Sequence, residues 1–534
     1  MISFKINKTY LGYFTLYILT NLFLLTNTSG IYWDDSTLHG QQLEDLTFHF
    51  KQAGWSLWGY VHYYLNSVAD GIYVYRLLTF FLLFATGLFL NHILKTITIF
   101  NTYIRIFIVI FFLIAPFYSA RVALIDMLYT LCYFTFFAAF YILSKRYILQ
   151  RFFVFRLITL VLFFFSFLTN SILLYYGIVL LYILYQEKRQ KKTIVQTVVS
   201  HLDFLFLPIL FYFFKLKYMT VETIFTGYNQ ITVDGLAHAL IATFTSFKLT
   251  FLGYFIMPLT EIHQAYFPFD TLQEFILIFL SITVLTLLTL FYFFRDVKQE
   301  ETSYRVLFFI FALGFFLFYI AAYPAYVVHK IPSPLTFNSR LELLMPLGWS
   351  FMTVSFIMLF TKTLRLPPLV NTLFFGIIAS YYITFNTITM LQFMKDDFVQ
   401  QSLIINFKNH EKIKNAHRLV IYDYNRYDHV YRRKFAWYEY NYLLKQAFGD
   451  ETRFATDYLD KREITHFEKF IPFPTYNFTD YKPSVVDYNV YVRTGTYKLS
   501  LQNTASLTFS KLLFPKQYKD KIPNIVDIKI SEYK

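Results

Sequence analysis

The residues with the best claim to chemistry are two adjacent acids, Asp34 and Asp35, in the triplet Trp33-Asp34-Asp35 just beyond a first apolar run. A carboxylate at the mouth of a helix bundle is costly to keep beside hydrocarbon, so a pair of them there asks for a function. The competing structural reading is a helix cap, with Asp35 or Ser36 capping a helix from Thr37, although capping needs only one acid. A second polar spot, Tyr118-Ser-Ala-Arg121-Val-Ala-Leu-Ile-Asp126-Met, sets Arg121 and Asp126 five residues apart with almost nothing else polar around them. A local salt bridge accounts for that pair equally well. A third stretch, 323–343, carries His329, Lys330 and Arg340. Cations beside membrane-embedded acids are what a phosphate-bearing lipid substrate requires, Arg for forked contacts and Lys as a point charge. Lys330 also fits a rim charge snorkelling to water. Trp33, Trp55 and Trp58 fit an interfacial aromatic belt, and His39 and His49 fit solvated loop positions.

The elements that must position these residues follow from composition. The chain is 56% hydrophobic and 22% aromatic with only 15% charged residues, which excludes an ordinary soluble domain and implies a polytopic α-helical membrane protein. The net charge of +14 does not point to nucleic acid, because much of the Lys and Arg falls in short runs between apolar segments, where it sets orientation. Cys132 is the only cysteine, so no internal disulfide framework exists. The first apolar run, Tyr10 to Leu25, follows Lys5 and Lys8 without a small-residue cleavage site and reads as a retained helix.

A spanning helix needs roughly 20 apolar residues. Segments near 10–26, 71–94, 104–118, 127–143, 153–169, 171–185, 200–215, 238–257, 272–294, 306–322, 344–361 and 369–391 qualify. Basic connections at Lys95 and Arg105, at Lys145 to Arg156, at Lys188 to Lys192 and at Lys362 with Arg365 face the cytoplasm by the positive-inside rule. Charge parity holds if 238–257, broken by Thr243, Thr245, Ser246 and Lys248 and ended by Pro258, does not cross. About eleven crossings then remain, with the N-terminus cytoplasmic and the segments 27–70, 119–126, 216–271 and 323–343 external. The transmembrane domain covers 1–394. Past residue 395 charges become frequent and a globular α/β or α+β domain of 395–534 follows on the external side, with a helix near 396–416, a buried strand at Leu419 to Tyr424 and a hairpin over Val486 to Leu501 around Arg493-Thr-Gly-Thr496.

A first helix, an external Asp-Asp loop, then a short Arg-x-x-x-x-Asp loop entering the next helix resembles the GT-C superfamily of membrane glycosyltransferases. The stretch Ser119-Ala-Arg-Val-Ala-Leu-Ile-Asp-Met127 is similar to the protein mannosyltransferases and lipid A aminoarabinose transferases. The stretch from Phe337 to Gly348 (FNSRLELLMPLG) resembles bacterial members of surface-polysaccharide systems. The resemblance implies a GT-C-like bundle in a bacterial plasma membrane and a polyprenyl-phosphate-linked sugar as donor. The acceptor it implies is a glycan, glycolipid or protein on the external face. It implies that Asp34 or Asp35 is the general base; a sugar hydroxyl is a poor nucleophile until a positioned carboxylate takes its proton. Arg121, Arg340 and His329, with Lys330, would neutralise the leaving phosphate, and Asp126 would position Arg121 or the acceptor. Relatives differ over a divalent metal. None is expected here, although Asp34, Asp35 and Asp126 are oxygen donors suited to Mg²⁺ or Mn²⁺.

Two other classes share this composition. A transporter or flippase for lipid-linked glycan would show charges near the bilayer midplane and paired interrupted helices. A non-catalytic assembly protein would need no acid pair, and its external tail would carry the function.

Overall fold

In the computed structural model the described residues are 7–68, 71–145, 153–221, 234–242, 272–297, 300–333, 336–427, 433, 435–449, 452–457 and 486–533. The N-terminal part runs α1 (Lys8–Thr26), α2 (Asp35–Leu38), α3 (Leu43–Gln52), α4 (Ser56–Ser67), α5 (Gly71–Lys95), α6 (Thr102–Ile114), a 3-10 turn at Ser119–Val122 and α7 (Met127–Ser144). There follow α8 (Phe153–Ser166), α9 (Ile172–Arg189), α10 (Ile194–Ser200), α11 (Leu202–Tyr218), α12 (Leu272–Phe294), α13 (Tyr304–Val327), a 3-10 turn at Phe337–Glu342, α14 (Met345–Thr363) and α15 (Pro368–Asn409). Among the described residues six helices, α1, α5, α7, α12, α13 and α15, are long and apolar enough to cross a bilayer, and the pair α10 and α11, bent by 57°, makes a seventh if it is one span. These helices mark the chain as an integral membrane protein.

Several expected spans are shorter than a bilayer. α6 has 13 residues and α8 has 14, and α6 is buried along most of its length at the centre of the bundle. A continuous apolar run is therefore a core helix as readily as a lipid-facing one. The expected external region 216–271 lies mostly outside the described residues; a helix over 234–242 is the part of it that is seen beyond residue 221. The loop expected at 27–70 is not irregular: α3 and α4 pack against one another there, close enough that a side chain on Gly59 would strike the backbone of Leu46 and Thr47. α13 and α14 cross in the same way, with the carbonyls of Gly314 and Gly348 each facing the other glycine, the small-residue packing that lets membrane helices approach closely.

α15 has 42 residues, so it is about 63 Å long at 1.5 Å per residue, twice the roughly 30 Å hydrocarbon core. It runs without a break through 394/395, where the sequence reading placed a domain boundary. After it come α16 (Glu411–Lys414), β1 (Arg418–Asp423), α17 (Trp437–Phe448), β2 (Phe454–Asp457), β3 (Tyr488–Thr494), α18 (Leu501–Leu513), α19 (Pro515–Lys521) and β4 (Val526–Glu532). The strands form a mixed sheet in the order β2-β1-β3-β4, with β1 parallel to β2 and β3 and β4 antiparallel to β3. The expected strand near 419 is thus central. The expected hairpin at 486–501 is a single strand whose antiparallel partner is β4, because the chain enters α18 after the Thr-Gly turn instead of doubling back.

Candidate functional site

The three segments singled out by the sequence are stitched together by hydrogen bonds from side chains to backbone. Asp35, fully buried, accepts the Leu124 amide at 2.8 Å, the Ile125 amide at 3.0 Å and the Tyr32 amide at 3.4 Å. It therefore ties the first segment to the second. Arg76, from α5, donates to the carbonyls of Asn27, Gly30 and Val122 and lies over the Tyr32 ring. Glu342, also fully buried, accepts the amide of Tyr118 at 3.2 Å, and the Ser339 hydroxyl accepts the Ala120 amide at 2.7 Å. The third segment is thereby pinned to the second. These side chains satisfy backbone groups that no helix ladder serves, and such groups are expensive to leave unpaired at membrane depth.

Asp34 is the contrast. It sits at the N-cap position of α2 but makes no capping hydrogen bond. Its carboxylate instead faces Arg340 and Lys330 and is hydrogen-bonded by the hydroxyl of Tyr438, on α17. Burial raises its pKa, and those three neighbours oppose the rise. Asp35 is pushed by burial up to about 7 against the pull of its three amides and Arg76. Asp126, fully buried, points two oxygens that have no hydrogen-bond partner among the described residues. Burial and the neighbouring Asp34 and Asp35 hold its carboxyl well above the usual range, against the field of Arg340. Its environment therefore favours the protonated form.

Arg340 stacks on the Phe337 ring at 4.0 Å, which fixes the guanidinium near Asp34 and Asp126. Arg121 does not join this group. It donates to the Phe117 carbonyl at 2.9 Å and to Asn386 Oδ1 at 2.8 Å, so the salt bridge to Asp126 weighed from the sequence is not made. It lines a cavity of about 40 Å³ with Tyr17, Asn21 and Tyr133, room enough for water. His329 is exposed, with its ring 5.0 Å from that of His238. Asp34, Asp126, Lys330 and Arg340 are thus brought together, Asp35 anchors them from behind, and Arg121 and His329 stand apart.

Four residues of the site region were invisible to sequence reading. Besides Tyr438, Glu439 Oε1 accepts the Trp33 amide at 3.2 Å while both its oxygens accept Arg433, whose Nε also donates to Asp396 on α15 at 2.9 Å. Trp33 is consequently no interfacial belt residue: its ring packs on Phe337 and Phe393 beneath Arg433. Trp58 is buried too, stacked with Trp55. Farther out, Lys511 and Ser29 both bond the buried Asp397, and His39 meets the Tyr442 hydroxyl at 3.1 Å. His49 lies beside the core, where burial lowers its pKa to about 4, so it is not a solvated loop residue.

Among the described residues no group of three or more His, Cys, Asp or Glu side chains converges so as to hold a metal ion. Asp34, Asp35 and Asp126 do not make a ligand set as arranged, with the Asp35 oxygens already given to amides. No protein-family model, curated protein or solved structure matches the chain.

Proposed function

We propose that the chain is a membrane glycosyltransferase that moves a sugar from a polyprenyl-phosphate-linked donor to a hydroxyl of a cell-envelope glycan, glycolipid or protein, with Asp34 as general base. The observation that carries this reading is the asymmetry of the acid pair. Asp35 spends its oxygens on backbone amides, whereas Asp34 looks out at Arg340 and Lys330 under the Tyr438 hydroxyl. A base next to two cations is arranged for an acceptor hydroxyl on one side and a departing phosphate on the other.

In the reaction Asp34 takes the acceptor proton as the acceptor oxygen attacks the anomeric carbon. The bond from that carbon to the phosphate oxygen breaks, and the polyprenyl phosphate leaves with the electron pair. Inversion follows from single displacement. Arg340 and Lys330 meet the charge that develops on the phosphate. In its protonated form the Asp126 carboxyl would donate a hydrogen bond to substrate. The six long spans and the bent pair α10 and α11 would form the frame of a GT-C-like bundle in a bacterial plasma membrane. The C-terminal sheet would then lie outside, over the site.

The test is Asp34→Asn and Asp35→Asn, made separately and assayed with a short-chain polyprenyl-phosphate sugar and with surface glycan composition in cells. Asp34→Asn should abolish transfer and leave thermal stability unchanged. Asp35→Asn should lower stability by about 1–3 kcal/mol, because Leu124 and Ile125 bond different oxygens of the carboxylate and an NH2 group, which only donates, would replace one of them. Wild-type glycan at wild-type level from both variants sinks the enzymatic reading.

A further inference from the structure

Helix α7 begins at the site, beside Asp126, and ends at Ser144. At that far end the bundle carries a second polar centre. A cavity of about 250 Å³ opens where α10 and α11 meet at their 57° bend, lined by Ser144, Arg156, Glu187, Lys192, Ser200 and His201 among others. Glu187 is buried and takes Lys192 at 2.9 Å on one oxygen and His201 Nε2 at 3.1 Å on the other. The other ring nitrogen of His201, Nδ1, is buried and has no hydrogen-bond partner among the described residues. Arg156 grips Asp203 with two nitrogens, each at 2.6 Å. Lys188, Arg189 and Lys191 stand exposed at the end of α9, close to Lys192 in the chain, with no acidic partner among the described residues.

The Arg156–Asp203 pair is also where an apolar groove begins. It has a volume of about 630 Å³ and follows α8 and α11 along Leu157, Val161, Phe206, Leu210 and Phe213. These side chains are exposed to half or more of their surface, and they lie on the outward faces of two apolar helices.

We propose that the cavity and the groove together bind one anionic glycerophospholipid of the leaflet at this end of the bundle. The phosphate would sit against Lys192, the headgroup hydroxyls against His201 Nδ1, Ser144 and Ser200, and an acyl chain in the groove. Neither half alone accounts for the arrangement. Free phosphate leaves the apolar groove unfilled, and a neutral hydrocarbon leaves the exposed Lys188, Arg189 and Lys191 beside it unmatched. Basic pockets between membrane helices, set next to apolar surface, are the geometry that selects acidic headgroups. The proposal does not rest on glycosyl transfer and stands or falls separately from it.

The full chain, reconstituted into phosphatidylcholine vesicles with and without phosphatidylglycerol carrying a photoactivatable acyl chain, tests it. Crosslinks should concentrate on 157–164 and 206–213, and native mass spectrometry should retain phosphatidylglycerol over phosphatidylcholine. Lys192→Gln with His201→Gln should weaken that preference by roughly five-fold or more, the scale set by one lost cation at a membrane surface. Val161→Trp, which fills the groove from its exposed side, should abolish the crosslinks while leaving the melting temperature unchanged. Equal retention of both lipids, crosslinks spread evenly over all lipid-facing helices, or full competition by inorganic phosphate would overturn it.

Discussion

The hydroxyl of Tyr438 hydrogen-bonds the carboxylate of Asp34, joining a helix of the C-terminal part of the chain to the loop after the first membrane helix. The catalytic acid of the proposed reaction is thus held from both sides, by α17 through Tyr438 and by Arg340 with Lys330 from the segment before α14.

That contact has a pH signature. A hydrogen bond and two cations favour the ionised form of Asp34, while burial opposes it. The base works only when deprotonated, so transfer should rise with pH through an acid limb lying above the ordinary carboxylate range. Tyr438→Phe removes one group that favours the anion and should move the limb to higher pH. The plateau rate should fall by less than about 10-fold, since the base itself remains. An unmoved limb in kcat/KM would separate Tyr438 from Asp34.

Arg340 should matter far more. If it meets the charge on the leaving phosphate, Arg340→Gln should cost roughly 10²–10³ in kcat, the scale of losing one preorganised electrostatic donor. Arg340→Lys keeps the charge but neither the fork nor the stack on Phe337, and it should recover only part of that loss. Steady-state assays on both variants decide the point, and wild-type kcat in Arg340→Gln would remove this residue from the site.

Asp126 offers a test of opposite sign. Burial and the acids beside it raise its pKa well above the usual carboxylate range, which favours the protonated form, and a protonated carboxyl is well imitated by an amide. Asp126→Asn should keep activity within about 10-fold of wild type, well short of the roughly 10² minimum for a lost proton-transfer group. Asp126→Leu should lose more. A collapse in Asp126→Asn would mean that Asp126 ionises during turnover.

Packing at the crossing of α13 and α14 gives a prediction independent of chemistry. A side chain at Gly348 would meet the backbone of Phe318 and Gly314 well inside contact distance. Gly348→Leu should therefore destabilise by about 1–3 kcal/mol or more, read as a lower melting temperature in detergent. Gly177, with open space around it, should tolerate alanine.

Much of the site was legible in the sequence because charges are scarce next to apolar runs. Asp126 stands out in a loop where little else is polar, and Asp34, Lys330 and Arg340 stand out as charges between apolar helices, and these four do come together. The division of labour between Asp34 and Asp35 was not legible, since it depends on which carboxylate meets the amides of Leu124 and Ile125 in another loop. Tyr438 was hidden for a different reason. It is one of 46 tyrosines, and nothing local distinguishes a tyrosine that reaches a carboxylate far back in the chain. In the C-terminal part, alternation at Tyr488 to Val492 correctly signalled a strand, but periodicity says which face is buried and not which strand is the neighbour. The same limit affects the helices: apolar content located them, while length and burial separate the short core helix α6 from those that can span.

The unbroken α15 has a mechanical meaning. One rod carries Asn386 against Arg121, then Phe393 against Trp33, then Asp396, Asp397 and Gln400, which bond Arg433, Lys511 and the Ile31 backbone in turn. A helix has no hinge unless a break supplies one, so the acid loop, held at Phe393 and Gln400, and strand β4, held at Asn406, ride on one rigid stretch of the same shaft. Cutting the chain after residue 394 would not trim an appendage. It would saw through the axle on which the acid-bearing loop is mounted.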